Sequence, residues 1–294
     1  MKILVALDTT PQSAFVVQEV ARLACNTWAD VTLLGIEPEA SPSGQRFTKA
    51  DRTNEEHPLV RSLRDHRARF LAHFKTEESP YTETTFGYEL VEVQNGLWED
   101  LKVCRGSRKQ LITRIRPGNP ARAILIEARQ SACDLIVIGS TAADSSDEIG
   151  WSAKKIIREV DTSVLVVAEA KQPRRIVACL DHDQVSQPSL EIINQMVTLY
   201  QADLEIVGLT TADGLPAELD RKIGQILKYY AANGIKALVR LVAETSSEAF
   251  AAQAARENLV ALWMGRQSLL RRFIPPRGVD RLLATADSSV LILR

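Results

Sequence analysis

The chain is poor in the features that would narrow its chemistry at once. Its four cysteines, Cys25, Cys104, Cys133 and Cys179, contain no Cys-x-x-Cys pair, which argues against a disulfide framework and a cysteine zinc site. A formal net charge of −1 and a pI near 6.5 give no reason to expect a nucleic-acid surface or strong attraction to an acidic membrane. No apolar run approaches membrane-spanning length. Asp8 breaks the first apolar run too early for a secretory leader, so a soluble cytoplasmic protein is expected. Histidine is also scarce: His57, His66 and His73 cluster in one region and His182 stands alone. No Ser-His-Asp or Cys-His arrangement can be argued from that distribution.

What is present is a repeat. The 294 residues are 45% hydrophobic and 25% charged, enough for two cores of ordinary size. Asp134-Leu135-Ile136-Val137-Ile138-Gly139 reads as a strand buried on both faces that ends where the backbone turns. Ser163-Val164-Leu165-Val166-Val167 follows 24 residues after Gly139, just as Ser289-Val290-Leu291-Ile292 follows 24 residues after Gly265. The opening Lys2 to Asp8 matches Arg175 to Asp181 at an offset of 173, which still holds for Ala29 to Ile36 against Ala202 to Leu209. From Leu111 to Ile115 against Ala237 to Leu241 the offset is 126 and stays so to the end. The first copy therefore carries 47 extra residues between about 38 and 109.

Within that excess, Glu55 to Thr76 reads as a long charged helix with Leu59, Leu63, Phe70 and Phe74 on its apolar face. Thr85 to Val93 alternates like a strand, and Leu97 to Leu101 suits a helix, so 84–108 is left without a fixed assignment. Elsewhere Thr10 caps a helix with Pro11 as its first residue and Ala14, Val17, Ala21, Cys25 and Trp28 on one face. Asn119-Pro120 opens another, over 121–130, and Thr245 or Ser246 caps its counterpart, over 248–256. Each copy reads β-α-β-α-β-α-β-α-β, with domains at 1–170 and 174–294. That alternation demands a doubly wound parallel sheet with right-handed crossovers. A ligand crevice is expected at the carboxyl ends of the strands, between Asp8 and Gly139 and between Asp181 and Gly265.

At these residues the sequence resembles the universal stress protein family in its tandem, two-domain form. The features are the strand ending in Asp8, the Gly118-Asn119-Pro120 turn, the strand ending in Gly139 and the closing Ser163 to Val167. The resemblance implies a Rossmann-like, five-stranded parallel sheet per domain, of the adenine nucleotide alpha hydrolase-like group. It also implies that the two final strands pair across a pseudo-twofold axis, an intramolecular pseudo-dimer. A homodimer through other surfaces remains open. ATP-binding members carry Gly, two residues, Gly, nine residues, then Gly-Ser or Gly-Thr. After Gly139 the matching places hold Ala142, Ser152 and Ala153, and after Gly265 they hold Ser268, Gly278 and Val279.

Charge separates the two loops. The first offers Asp144, Asp147 and Glu148 with no Lys or Arg before Ser152, whereas the second carries Arg271, Arg272 and Arg277 beside Pro275-Pro276. Like charges about 4 Å apart cost roughly 1 to 4 kcal/mol depending on exposure, so a triphosphate suits the second loop better. The candidate nucleotide site is thus Asp181, Gly265, Arg266, Gln267, Ser268, Arg277, Gly278 and Val279, with ATP or another adenine nucleotide, and Mg accompanying it, as the ligand. Asp8, Gly139, Ser140 and Ser152 form a degenerate first site. Equally consistent with these residues are plain strand-to-helix turns, with Asp8 and Asp181 serving only as caps. A nucleotide hydrolase or transferase using Asp181 and the arginine loop, or a ligand-free interaction protein, are the alternative functions. His66 and His73, seven apart on the long helix, read as solvated residues rather than metal ligands. The insertion reads as a lid, a partner surface or a peripheral decoration.

Overall fold

The structure is a computed structural model that describes residues 1–37, 57–74, 79–81, 90–94, 97–100, 109–140, 148–168, 172–179, 185–210, 214–215, 217–264 and 276–294. It divides into two compact units, the first ending at Thr162 and the second running from Ser163 to Arg294.

The first unit contains β1 (Lys2–Leu7), α1 (Gln12–Thr27), β2 (Asp30–Glu37), α2 (Pro58–Leu71), β3 (Leu90–Gln94), β4 (Leu97–Asp100), β5 (Leu111–Pro117), α3 (Pro120–Ser131), β6 (Leu135–Gly139) and α4 (Glu148–Glu159). Its strands lie in the order β6-β1-β2-β5-β4-β3. The pairs among β6, β1, β2 and β5 are parallel. Leu135, Ile136 and Val137 are fully buried, as a strand covered on both faces requires. The turn into α3 is built as its residues dictate: Gly118 takes a positive φ of 124°, Asn119 Oδ1 accepts from the Arg122 N–H at 3.2 Å, and Pro120 is the first helical residue.

Three local expectations are corrected. The described part of 97–101 is not helical: Leu97–Asp100 is a strand antiparallel to both β3 and β5, with Trp98 opposite Ile115 and Glu99 opposite Arg114. Leu97 and Trp98 are both buried, and so short a segment gains more from an existing ladder than from a lone helical turn. The apolar face of α1 is also turned from the expected one. Val16, Val17, Val20, Ala21, Leu23 and Ala24 are buried, whereas Cys25 is exposed and Trp28, beyond the helix in a left-handed cap, is 45% exposed. Thr10 does not cap α1 through its side chain, and Ser246 lends no side-chain cap to the helix that follows it.

The second unit contains β7 (Ser163–Val167), β8 (Arg175–Cys179), α5 (Gln187–Tyr200), β9 (Asp203–Thr210), α6 (Ala217–Ala232), β10 (Ala237–Ala243), α7 (Ser247–Ala254), β11 (Leu259–Trp263), α8 (Pro276–Thr285) and β12 (Val290–Leu293). Its strand order is β10-β9-β8-β11-β12-β7. All pairs are parallel except β12 with β7, where Val290 faces Val166 and Ile292 faces Val164. The last strand of the first sequence repeat thus completes the second unit, and the two final strands pair as the resemblance implied.

Two glycines fix the register between the copies. A methyl group at Gly35 would meet Leu63 at 2.7 Å and Leu59 at 3.0 Å, and one at Gly208 would meet Ile223 at 2.9 Å and Leu219 at 3.7 Å. So α2 packs on β2 as α6 packs on β9, and α2 belongs to the repeat rather than to the insertion. The surplus lies mostly between α2 and β5, where 39 residues stand against the four between α6 and β10. Its described part includes the β3–β4 hairpin on the edge of the sheet and Tyr81, buried against Phe70 and Phe74.

Candidate functional site

In the first unit β1 and β6 are parallel neighbours, so Asp8 and Gly139 leave the sheet at the same carboxyl rim. Asp8 is turned into its own loop. Its Oδ1 accepts from the Thr10 N–H at 2.9 Å and from the Thr10 and Ser13 hydroxyls at 2.6 Å each, while the Asp8 N–H donates to Ser13 Oγ at 3.0 Å. Three donors on one carboxylate oxygen hold the turn ahead of α1. Gly139 is not in the left-handed region. A methyl group there would meet only Val16 at 3.4 Å, so the glycine leaves room at the rim rather than relieving strain. Ser140 is half-buried at the end of the strand, and Ser152 lies within α4.

At this rim the sequence reading passed over Ser62 and took His66 for a solvated residue. Ser62 Oγ, on α2, donates to the Asp8 carbonyl at 3.2 Å. His66, one turn further on, is 6% exposed rather than solvated, while His73 is exposed. Neither ring nitrogen of His66 finds a partner of hydrogen-bonding geometry among the described residues. Burial pushes its pKa below the ordinary histidine value, and the Asp8 main chain, Asp8 and Asp65 oppose the shift only in part. The register of α2 on α6 would have exposed it: Leu59, Leu63, His66 and Phe70 correspond to Leu219, Ile223, Ile226 and Tyr230, all buried. A histidine therefore occupies a position that is isoleucine in the other copy.

In the second unit β8 and β11 are parallel neighbours, and the chain leaves both on one side of the sheet. Asp181, Gly265, Arg266, Gln267 and Ser268 lie outside the described residues. Arg277, Gly278 and Val279 form the first turn of α8, with Arg277 exposed and Gly278 and Val279 buried. Among the described residues no three His, Cys, Asp or Glu side chains gather to hold a metal ion, and no helix is long and apolar enough to cross a membrane.

One cavity lies away from both rims. About 280 Å³ in volume, it opens at the amino ends of β1, β2 and β5 between Lys2, Asp30, Gln110, Arg114, Gln130 and Cys133. Its strongest cation is already spent: Arg114 bonds to Glu127 and, at 2.8 Å, to Glu99.

The structure is similar to a universal stress protein from Archaeoglobus fulgidus DSM 4304, at 14% identity and a TM-score of 0.64, over 100% of this chain and 96% of that one. It is also similar to a functionally unknown protein from Pseudomonas aeruginosa PAO1, at 15% identity and a TM-score of 0.57, over 99% and 92%. The cytoplasmic domain of a prokaryotic cation chloride cotransporter shares the fold at 12% identity and a TM-score of 0.55, over 99% and 94%. No curated protein matches the sequence. The model of the universal stress protein family matches residues 1–168. With that match over more than half the chain, and the repeat carrying the same strands and helices into the remainder, the protein belongs to the universal stress protein family in its tandem form.

Proposed function

We propose that the chain is a binding and regulatory module whose second half takes a nucleotide, ATP or another adenine nucleotide, and whose first half has lost that capacity. What supports this reading is the difference in charge between the two loops, with the first carboxylate already engaged. In the first copy the carboxylate at the end of β1 is consumed by Thr10 and Ser13, and the loop after β6 carries only acidic charge. In the second, an exposed arginine opens α8, where the helix N-terminus favours phosphate. Arg277 would contact phosphate, Gly278 and Val279 would supply the close backbone approach, and Asp181, Gly265, Arg266, Gln267 and Ser268 would complete the pocket. Mg, where it accompanies the nucleotide, would arrive bound to the phosphates.

The test is nucleotide released from the purified protein by denaturation and identified by chromatography, followed by equilibrium dialysis against ATP. Arg277→Glu is expected to weaken binding at least about tenfold, since it replaces a favourable charge with a repulsive one, whereas Asp8→Asn leaves it unchanged. Failure of the wild type to bind, or equal loss in both variants, overturns the assignment. Turnover of the bound nucleotide would favour the hydrolase or transferase reading.

A further inference from the structure

Among the described residues β10 pairs with β9 alone and is the outermost strand of its sheet. Three of the six large apolar side chains that stand exposed in the described residues belong to it: Leu238 at 60%, Val239 at 43% and Leu241 at 53%. An apolar edge of this kind is a template for another strand. The first unit shows how the matching edge is closed. There β5 receives β4 in antiparallel pairing, and Leu111 to Arg116 are all buried or half-buried. The four residues between α6 and β10 leave no room for such a hairpin in the second copy.

We propose that β10 pairs antiparallel with β10 of a second copy of this chain, about a twofold axis at Arg240, so that the protein is a homodimer through this edge. The strand reads Ala237-Leu238-Val239-Arg240-Leu241-Val242-Ala243, with the same pattern of apolar residues around a central arginine in both directions. An axis at its centre sets Ala237 opposite Ala243, Leu238 opposite Val242 and Val239 opposite Leu241, a self-complementary set such as an isologous interface needs. Arg240 falls opposite its own copy, and that meeting is relieved in advance. Its guanidinium is drawn back to Glu205 on β9, with the Phe250 ring 5.8 Å away. A partner of unrelated sequence would have to match the edge by chance, whereas the strand already matches itself.

Sedimentation equilibrium of the full chain is expected to show a monomer–dimer equilibrium. Val239→Lys or Leu241→Glu alone is expected to weaken it more than about tenfold by placing an unpaired charge against an apolar side chain. Mixing the two variant chains is expected to restore a heterodimer, because only this register brings the new lysine opposite the new glutamate. The mixing arm also guards against a variant that merely misfolds, since misfolded chains would not reassociate. A wild-type chain that stays monomeric, a dimer indifferent to both substitutions, or a mixture that fails to reassociate while each variant keeps the wild-type circular dichroism would overturn the proposal.

Discussion

The two copies use the same arginine with different carboxylates. Arg114 on β5 and Arg240 on β10 stand at one repeat position, 126 apart. In the first unit the partner is Glu127 of α3, fully buried and shared with Arg116 at 2.7 Å, while Glu99 of the hairpin takes the other side of Arg114. In the second unit it is Glu205 of the neighbouring strand, shared with Arg175 at 2.9 Å, and the side chain of Arg240 remains 53% exposed. The difference follows from the edge. Where a hairpin covers the outer strand, the arginine is desolvated and needs carboxylates around it; where the edge is open, one carboxylate and water suffice.

This contrast can be broken most sharply at the carboxylates. Glu127→Ala would leave two arginines without their buried partner and is expected to cost about 3 kcal/mol. Glu205→Ala, whose arginines reach solvent, is expected to cost about 1 kcal/mol. Denaturant titration of both variants checks the ratio, and equal losses would dissolve the distinction.

Next in size is the hairpin itself. Replacing 79–108 with a connection of the α6–β10 length is expected to open the β5 edge and cause new self-association of the first unit, read by light scattering. An unchanged oligomeric state would mean that the hairpin is not what guards the edge.

A smaller effect is expected at Glu19, buried on α1 with one oxygen unpaired. Burial raises its pKa from 4.5 to about 7, against a weak pull from Arg22. Because the folded value is raised, the stability it contributes is complete below 4.5 and is lost as pH rises through about 7. Glu19→Gln should therefore stabilise the protein by about 1 to 3 kcal/mol above pH 7, and this gain should vanish in acid. Thermal melting across pH measures it.

The smallest change, His66→Ile, gives the first copy the residue that the second has at Ile226. The folded pKa of His66 is depressed below its ordinary 6.5, so its contribution is complete above that pH and falls as the solution is acidified. The variant is expected to flatten the acid limb of the melting profile. An acid limb that stays as steep would place the sensitivity elsewhere.

Much of this was readable beforehand because it is periodic. Unbroken apolar runs marked β6, β7, β11 and β12, and Gly118-Asn119-Pro120 marked the start of α3 with its cap. The offsets of 173 and 126 located the enlarged segment. The hairpin was less legible, since Leu97 to Asp100 is too short for a period to declare itself and became a strand only because β5 offered a ladder. At the site, Asp8 was found from its place at the end of a strand. His66 was misread, because its neighbours along the helix are charged and its burial comes from the packing of the helix near Asp8.

The order of apolar and polar residues by itself therefore determined the class of fold, the duplication and the ends of the strands, since those depend on local period and turn chemistry. Only the folded chain decided which carboxylate each arginine would meet, and that one edge is closed while its counterpart stands open among the described residues. Those outcomes depend on residues far apart in sequence coming within a few ångströms of one another, and no local pattern encodes that approach.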